Sequence, residues 1–412
     1  MAQVIQDTEV KRPLAGWALL GPAFVAAIAY VDPGNVAANV SAGAQYGFLL
    51  VWVIVVANVM AGLVQFLSAK LSLVTGRSLP EAVADQTRTP TRLAYWAQAE
   101  LVAMATDLAE VVGGAIALHL LFDLTLLVGG VITGIVSLLL LGVQNRRGQR
   151  AFERVISGLL LVIAIGFLTS LFIEPPPAAD VAAGLVPTFA GSESVLLATA
   201  MLGATVMPHA VYLHSGLARD RHGQPEAGAQ RRWLLRITRW DVGLAMLVAG
   251  TVNLAMLLVA ATNLRGRDDT DSIEGAHAAV RDTLGPAAAL LFAVGLLASG
   301  LASTSVGAYA GAMIMQGLLR RSYPLLLRRL VTLVPALAIL AVGVDPSRAL
   351  VLSQVVLSFG IPFALIPLVR LTSDRQVMGA DVNHRMTTAF GWGVAALISL
   401  LNVVLVYLTV AG

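Results

Sequence analysis

Long, continuous apolar stretches separated by short polar connections set the pattern of this chain. A helix that crosses a bilayer needs roughly 17 to 25 apolar residues. Eleven such spans can be placed, near 14–42, 46–72, 94–121, 124–142, 151–173, 193–218, 237–262, 286–319, 328–344, 347–370 and 388–410, with the first and sixth interrupted. A membrane β-barrel would instead show ~10-residue segments of alternating polarity. The pattern therefore predicts an all-α integral membrane protein embedded in a lipid bilayer.

Composition agrees: 57% of the 412 residues are hydrophobic, 12% are charged and the mean hydropathy is +0.80, whereas a soluble domain is about 25% charged. The net charge of +3 and the pI near 9.4 do not point to nucleic acid, because the basic residues are scattered through short loops rather than gathered on one surface. They report topology instead. With a cytoplasmic N-terminus, alternation of the spans puts all Lys and Arg on the cytoplasmic side except Arg265, Arg267, Arg281 and Arg348, the asymmetry expected of a protein of the cell membrane. Acids including Asp268, Asp269, Asp271 and Glu274 outnumber these four on the outer side. Such a surface would concentrate cations, and an ordinary solvated acidic loop would look the same. With no Cys in the chain, disulfides and thiolate metal sites are excluded. Ala27-Ile28-Ala29 resembles a signal-peptidase site, but cleavage there would leave a poorer charge asymmetry, so the first span is read as retained.

The informative residues are the interruptions. Span 1 reads Ala29-Tyr30-Val31-Asp32-Pro33-Gly34-Asn35 and span 6 reads Gly203-Ala204-Thr205-Val206-Met207-Pro208-His209. Proline removes a backbone donor and glycine lowers helical preference, so both spans should unwind at mid-membrane depth. Asp32 and Met207 each directly precede the proline, 175 residues apart. Five spans carry the chain from one break to the other, so the second half crosses the membrane in the opposite sense. That is the arrangement of an inverted-repeat transporter, whose discontinuous helices meet near the midplane to bind substrate.

A proline alone can be a simple kink. A carboxylate near the bilayer centre is different: it costs at least ~2.5 kcal/mol on insertion scales and persists only with a cation, a proton or water. Asp32 with the amide of Asn35 and the thioether of Met207 makes a mixed hard and soft donor set. Oxygen alone would suit Mg²⁺ or Ca²⁺, and sulfur shifts preference toward Mn²⁺, Fe²⁺, Co²⁺ or Cd²⁺. A sodium-coupled amino-acid carrier would not carry Asp32 at this position. A metalloprotease would show His-Glu-x-x-His, which is absent from the sequence. A metal channel or an uncoupled carrier of the same fold shares these residues, since alternating access cannot be read from a sequence.

Asp32-Pro33-Gly34-Asn35 with Met207-Pro208-His209, each in its own broken helix, closely resembles the Nramp family of proton-coupled divalent metal transporters. The resemblance runs from Gly21-Pro22-Ala23 to the Pro362 segment of span 10. It implies a fold similar to the amino-acid transporter LeuT, with inverted repeats over 14–173 and 193–370 and an added eleventh helix over 388–412. The remaining pieces are a cytoplasmic N-terminal segment at 1–13, an extracytoplasmic loop at 174–192 and a cytoplasmic loop at 371–387. It further implies import of Mn²⁺, Fe²⁺ or similar ions with H⁺ and no permanently bound cofactor. The ligands would be Asp32, Asn35, Met207 and the backbone carbonyls of Ala29 and Ala204, with Gln354 approaching as the site closes.

Proton coupling needs titratable groups leading away from the metal. Span 3 carries Glu100, Asp107 and Glu110 at spacings of seven and three, which put the carboxylates on one broad helix face. Such a stripe is either a ladder of structural ion pairs or a hydrated path. By resemblance Asp107 and Glu110 match family positions in the proton route, His209 is a titratable neighbour of the metal, and Arg221 and Arg329 are candidate partners of the acids.

Overall fold

The computed structural model describes residues 21–147, 149–266, 272–321 and 325–411. The expected N-terminal segment 1–13, the start of span 1 and the acids Asp268, Asp269 and Asp271 lie outside these. No β-strand occurs among the described residues. Span 1 is α1 (Pro22–Ile28), a 3₁₀ turn at Ala29–Val31 and α2 (Pro33–Tyr46). Then come α3 (Val51–Thr75), α4 (Leu79–Gln86), α5 (Thr89–Phe122), α6 (Leu126–Arg147), α7 (Gln149–Ile173) and α8 (Ala178–Ala183). Span 6 is α9 (Ser192–Thr205) and α10 (Pro208–His222), followed by α11 (Ala229–Asn263), α12 (Ile273–Leu284), α13 (Pro286–Leu319), α14 (Leu325–Val342), α15 (Pro346–Ser373), α16 (Arg375–Met378) and α17 (Arg385–Ala411).

Both interruptions are present. Asp32 is extended (φ −73°, ψ 170°) between the 3₁₀ turn and α2, and Met207 is extended (φ −63°, ψ 122°) between α9 and α10. Pro33 and Pro208 each open the following helix, where the missing N–H has no cost. Other elements went unseen in the hydrophobic pattern because they do not cross. They include α4, opened by a capping box of Ser78 and Glu81, and α8 and α16, short helices inside the two expected loops. The outer helix α12 is capped by Ser272, which accepts from Gly275 N at 3.0 Å. α11 also begins eight residues before the expected start, extending an Arg-rich polar helix below its apolar part.

Among the described residues, eight helical stretches, with α2 joined to α3 and α9 to α10, are long and apolar enough to cross a membrane. The expected ninth span, α14, carries Arg328 and Arg329 within it. The outward side chains, such as Leu139, Phe172, Leu161 and Val403, are large, apolar and exposed, as suits lipid contact. Inside, small residues set the packing. α5 meets α13 where Gly114 faces Gly300, and a Cβ on Gly300 would lie 3.0 Å from Gly114 N.

Contacts between connections define two ends of the bundle. At one end Arg219 of α10 pairs with Glu81 of α4, Arg320 with Asp85 at 2.8 Å and Arg231 of α11 with Asp381 at 3.1 Å. Burial opposes ionisation of Glu81, but Arg219 and the Ser78 amide outweigh it and hold this carboxyl below its ordinary range. At the other end Trp52 packs edge-on to Phe189, Trp52 N donates to Gly184 O at 2.9 Å, and Ile273 N donates to Ser347 Oγ at 3.0 Å. Span 1 starts near the first end, and span 6 starts near the second. The two broken spans therefore run in opposite senses.

α9 packs closely on α15. A Cβ on Gly203 of α9 would lie 2.0 Å from the backbone oxygen of Gln354, an atom that cannot turn aside. Overpacking of this kind costs ~1–3 kcal/mol. Gly203→Ala should therefore lower the thermal unfolding midpoint in detergent, while Gly158→Ala, with nothing within 4 Å of its Cβ position, should not. Equal midpoints for Gly203→Ala and the parent would disprove this contact.

Candidate metal centre and its charged surroundings

The break in span 1 is built from its own sequence outward. Pro33 has no N–H for the oxygen of Ala29, four residues back, and Pro208 has none for Ala204. Asp32 Oδ1 instead caps α2, accepting from Asn35 N at 2.7 Å. Neighbouring helices take up the other loosened carbonyls: Asn253 Nδ2 of α11 donates to Tyr30 O at 2.7 Å, and Ser299 Oγ of α13 donates to Val31 O at 2.5 Å. Asn253 Oδ1 accepts from the Asn35 amide at 3.3 Å and from the Asn39 amide at 2.9 Å, which fixes the Asn35 nitrogen on the α11 side.

What remains is a set of buried oxygens with nothing to accept. Asp32 Oδ2, Asn35 Oδ1 and Gln354 Oε1 are all buried and have no hydrogen-bond partner. Gln354 lies against the first turn of α2, where a Cβ on Gly34 would fall 1.8 Å from its Nε2, and its backbone lies against Gly203 in the last turn of α9. Both breaks thus meet one residue of α15, and Met207 at the second break is fully buried. Unpartnered acceptors in a dry interior are costly, and a cation is the species that satisfies several of them at once. Among the described residues there is no group of three or more His, Cys, Asp or Glu that could hold a metal. This pocket would bind through one carboxylate, amides, carbonyls and a thioether.

The acids of α5 continue from this point. Asp32, Asp107 and Arg329 are all near enough to Glu110 for their charges to act on it. Glu110 lies against α13, where a Cβ on Gly307 would be 2.9 Å from Oε1, and its Oε2 has no partner. Asp107 pairs with Arg329 of α14 at 2.5 Å, and Glu100 with Arg328 at 3.4 Å. His209, in the first turn of α10, has Nδ1 3.3 Å from Thr106 Oγ1, whose own hydrogen goes to Val102 O at 3.0 Å. His209 Nδ1 is then the donor in that contact, which leaves Nε2 a bare, buried acceptor with no partner.

With both breaks and the acid stripe in place, comparison with known proteins is decisive. The Nramp profile, described as Natural resistance-associated macrophage protein-like, matches residues 23–408. The chain belongs to the Nramp family. It is 71% identical over 412 residues to the divalent metal cation transporter MntH of Mycobacterium tuberculosis (strain CDC 1551 / Oshkosh), covering 100% of this chain and 96% of that one. The manganese transporter of Eremococcus coleocola, solved with an aromatic bis-isothiourea substituted compound, superposes with a TM-score of 0.85 at 31% identity, over 98% of this chain and 90% of that one. Mhp1, a nucleobase-cation-symport-1 family transporter, shares the fold alone, with a TM-score of 0.61 at 16% identity over 94% of this chain and 90% of that one. The fold of this Nramp protein is the LeuT-like inverted repeat with an added eleventh helix.

Of the residues singled out in the sequence, Asp32, Asn35, Ala29, Ala204, Met207 and Gln354 border the two breaks, and Glu110, Asp107, Arg329 and His209 form one charged neighbourhood beside them. Glu100 stands further along α5 with Arg328. Arg221 lies apart: it pairs with Glu153 of α7 at 3.2 Å, near Gly21 at the start of α1. Sequence reasoning missed Asn253, Ser299, Arg328, Glu153 and Asp241. Asn253 and Asp241 were visible as polar residues inside an apolar span, the signal that had drawn attention to Asp32. His214 is 2.7 Å from Gln65 Oε1, and Gln65 donates to the Tyr30 hydroxyl, a structural tie across the break.

Removing one member of a buried ion pair strands the other and costs ~3–5 kcal/mol, more than replacing both. Asp107→Asn and Arg329→Gln should each lower the unfolding midpoint in Nramp detergent samples, and the double variant should lie above the Arg329→Gln single variant. A double-mutant cycle on thermal unfolding measures this, and strict additivity would contradict the pairing.

Proposed function

We propose that this protein is a proton-coupled importer of divalent transition metal ions, Mn²⁺ and Fe²⁺ among them, working by alternating access across the cell membrane with its N-terminus in the cytoplasm. The observation that carries the reading is the trio of buried, unpartnered oxygens on Asp32, Asn35 and Gln354 at the meeting of two helix breaks, beside Met207. The metal is cargo. The carboxylate of Asp32, the amide oxygens of Asn35 and Gln354, the carbonyls of Ala29 and Ala204 and the sulfur of Met207 are its ligands. One negative charge against a divalent ion leaves the site short of neutrality, which keeps affinity moderate and allows release. The names of the M. tuberculosis and E. coleocola relatives, a divalent metal cation transporter and a manganese transporter, support this assignment.

Metal binding requires Asp32 ionised, so a proton held there must leave as metal arrives. Glu110 is the nearest acid of α5 in this chain of charges, and Asp107, paired with Arg329, follows it. His209 Nε2 offers a second acceptor beside the metal. Glu100 extends the route toward the cytoplasm. Metal and proton thus share Asp32 and then part, the proton along α5 and the metal between the broken helices.

Two measurements in proteoliposomes test the proposal. Met207→Ala should retain Mn²⁺ uptake but lose discrimination against Ca²⁺, because oxygen donors remain while the preference for softer ions goes. Uptake under millimolar Ca²⁺ reads this, and a variant that rejects Ca²⁺ as well as the parent removes Met207 from the selectivity role. In the second, Asp107→Asn should depress proton entry per Mn²⁺ more than Mn²⁺ entry itself, since an amide cannot relay a proton. An unchanged ratio with both fluxes followed in the same vesicles would mean that α5 is not the route.

A further inference from the structure

At the basic end of the bundle a cleft of 340 Å³ opens between α3, the early turns of α11 and the connection at 379–382. Its charged lining is Lys70, Arg232, Arg236 and Arg239 against the single carboxylate of Asp381. That carboxylate is already engaged by Arg231 at 3.1 Å. Lys70 Nζ donates to Asn383 Oδ1 at 2.8 Å, and the Arg239 guanidinium stacks 4.9 Å from the centroid of the Phe66 ring. Both contacts hold cations in place without neutralising them. Arg232 and Arg236 have no hydrogen-bond or ion-pair partner among the described residues.

Arg232, Arg236 and Arg239 stand four and three residues apart on one face of α11, where like charges repel. The cleft of 530 Å³ near Arg77, Arg219 and Arg320 keeps these arginines paired with Glu81 and Asp85. The surroundings specify the missing anion. Trp240 follows Arg239 and is 67% exposed, and Trp233 is 38% exposed. Amphipathic aromatics mark the boundary between water and hydrocarbon. Phe66 and Leu235 add an apolar floor to the cleft.

We propose that this cleft binds the phosphate headgroup of an anionic phospholipid, with the acyl chains lying along the outer surface beside Trp240. Basic pockets at the membrane boundary recognise such headgroups, and arginine matches phosphate oxygens in a two-pronged fashion. The lipid would join α3, α11 and the connection leading to α17, three elements that meet at this cleft, where Arg231–Asp381 and Lys70–Asn383 tie the connection to the two helices. The site is separate from the metal centre and does not depend on the transport reading.

Native mass spectrometry of the detergent-purified full chain tests it, with phosphatidylglycerol, cardiolipin or phosphatidylcholine as the added lipid. One anionic lipid should be retained under conditions that strip phosphatidylcholine. The Arg232→Gln/Arg236→Gln variant should weaken retention roughly thirtyfold, from about fivefold per arginine. Arg88→Gln/Arg321→Gln, which removes two exposed arginines elsewhere at the same end, should not. Arg232→Lys/Arg236→Lys, which keeps charge but not the fork, should fall between and guards against misfolding of the glutamine variant. Equal loss in the Arg232/Arg236 and Arg88/Arg321 glutamine variants, or loss in neither, would overturn the site. Displacement of the lipid by millimolar inorganic phosphate would overturn the lipid in favour of a free-phosphate site.

Discussion

Everything in this molecule follows from one constraint, that a backbone in hydrocarbon must satisfy its polar groups within the protein. Pro33 and Pro208 violate it at the two breaks. The violation is tolerable because helices on either side supply what the breaks lack: Asn253 reaches Tyr30 O, Ser299 reaches Val31 O, and Asp32 caps the helix it precedes. These repairs are incomplete by design of the sequence. The donors of Asn253 and Ser299 go to backbone carbonyls, the Asn35 amide donates to Asn253 Oδ1, and Asp32 Oδ2, Asn35 Oδ1 and Gln354 Oε1 are left buried with nothing to accept. The same accounting that makes the fold possible therefore creates the electronegative pocket.

Charge obeys a related economy. On α5, Glu100 and Asp107 are matched by Arg328 and Arg329, neighbours in sequence on α14. Adjacent residues on a helix point about 100° apart, so two consecutive arginines can serve two acids only if those acids are spread along the facing helix, as the seven-residue spacing of Glu100 and Asp107 provides. Glu110 falls outside this matching and lies between the paired acid and Asp32. The stripe is thus two ion pairs at one end and, at the other, an acid with no ion-pair partner among the described residues.

Much of the fold was legible because apolar length and proline position are strong local signals. Pro33 and Pro208 mark their breaks to the residue, and the span at 286–319 coincides with α13. What escaped was decided by partners far along the chain. Nothing near Arg221 says that it faces Glu153, and the eventual neighbours of Gln354, Gly34 and Gly203, are more than 150 residues from it in one case and more than 300 in the other. α4, α8, α12 and α16 escaped for another reason: short helices at an interface need no long apolar run, and only their caps announce them.

α1 deserves a mechanical reading. Its seven residues make a rod ~10 Å long, held at its far end by the Asn253 and Ser299 bonds around the break. Its near end is held by the Asp241 carboxylate, which accepts from Gly21 N and Ala23 N, each at 3.1 Å. A rod pinned at both ends cannot turn, and these pins differ in strength of purpose. The far pin is shared with the metal pocket, so its release would dismantle the site. The near pin is one side chain on α11, and its loss would leave the first N–H groups of the rod without their acceptor while the bonds around the pocket stay in place.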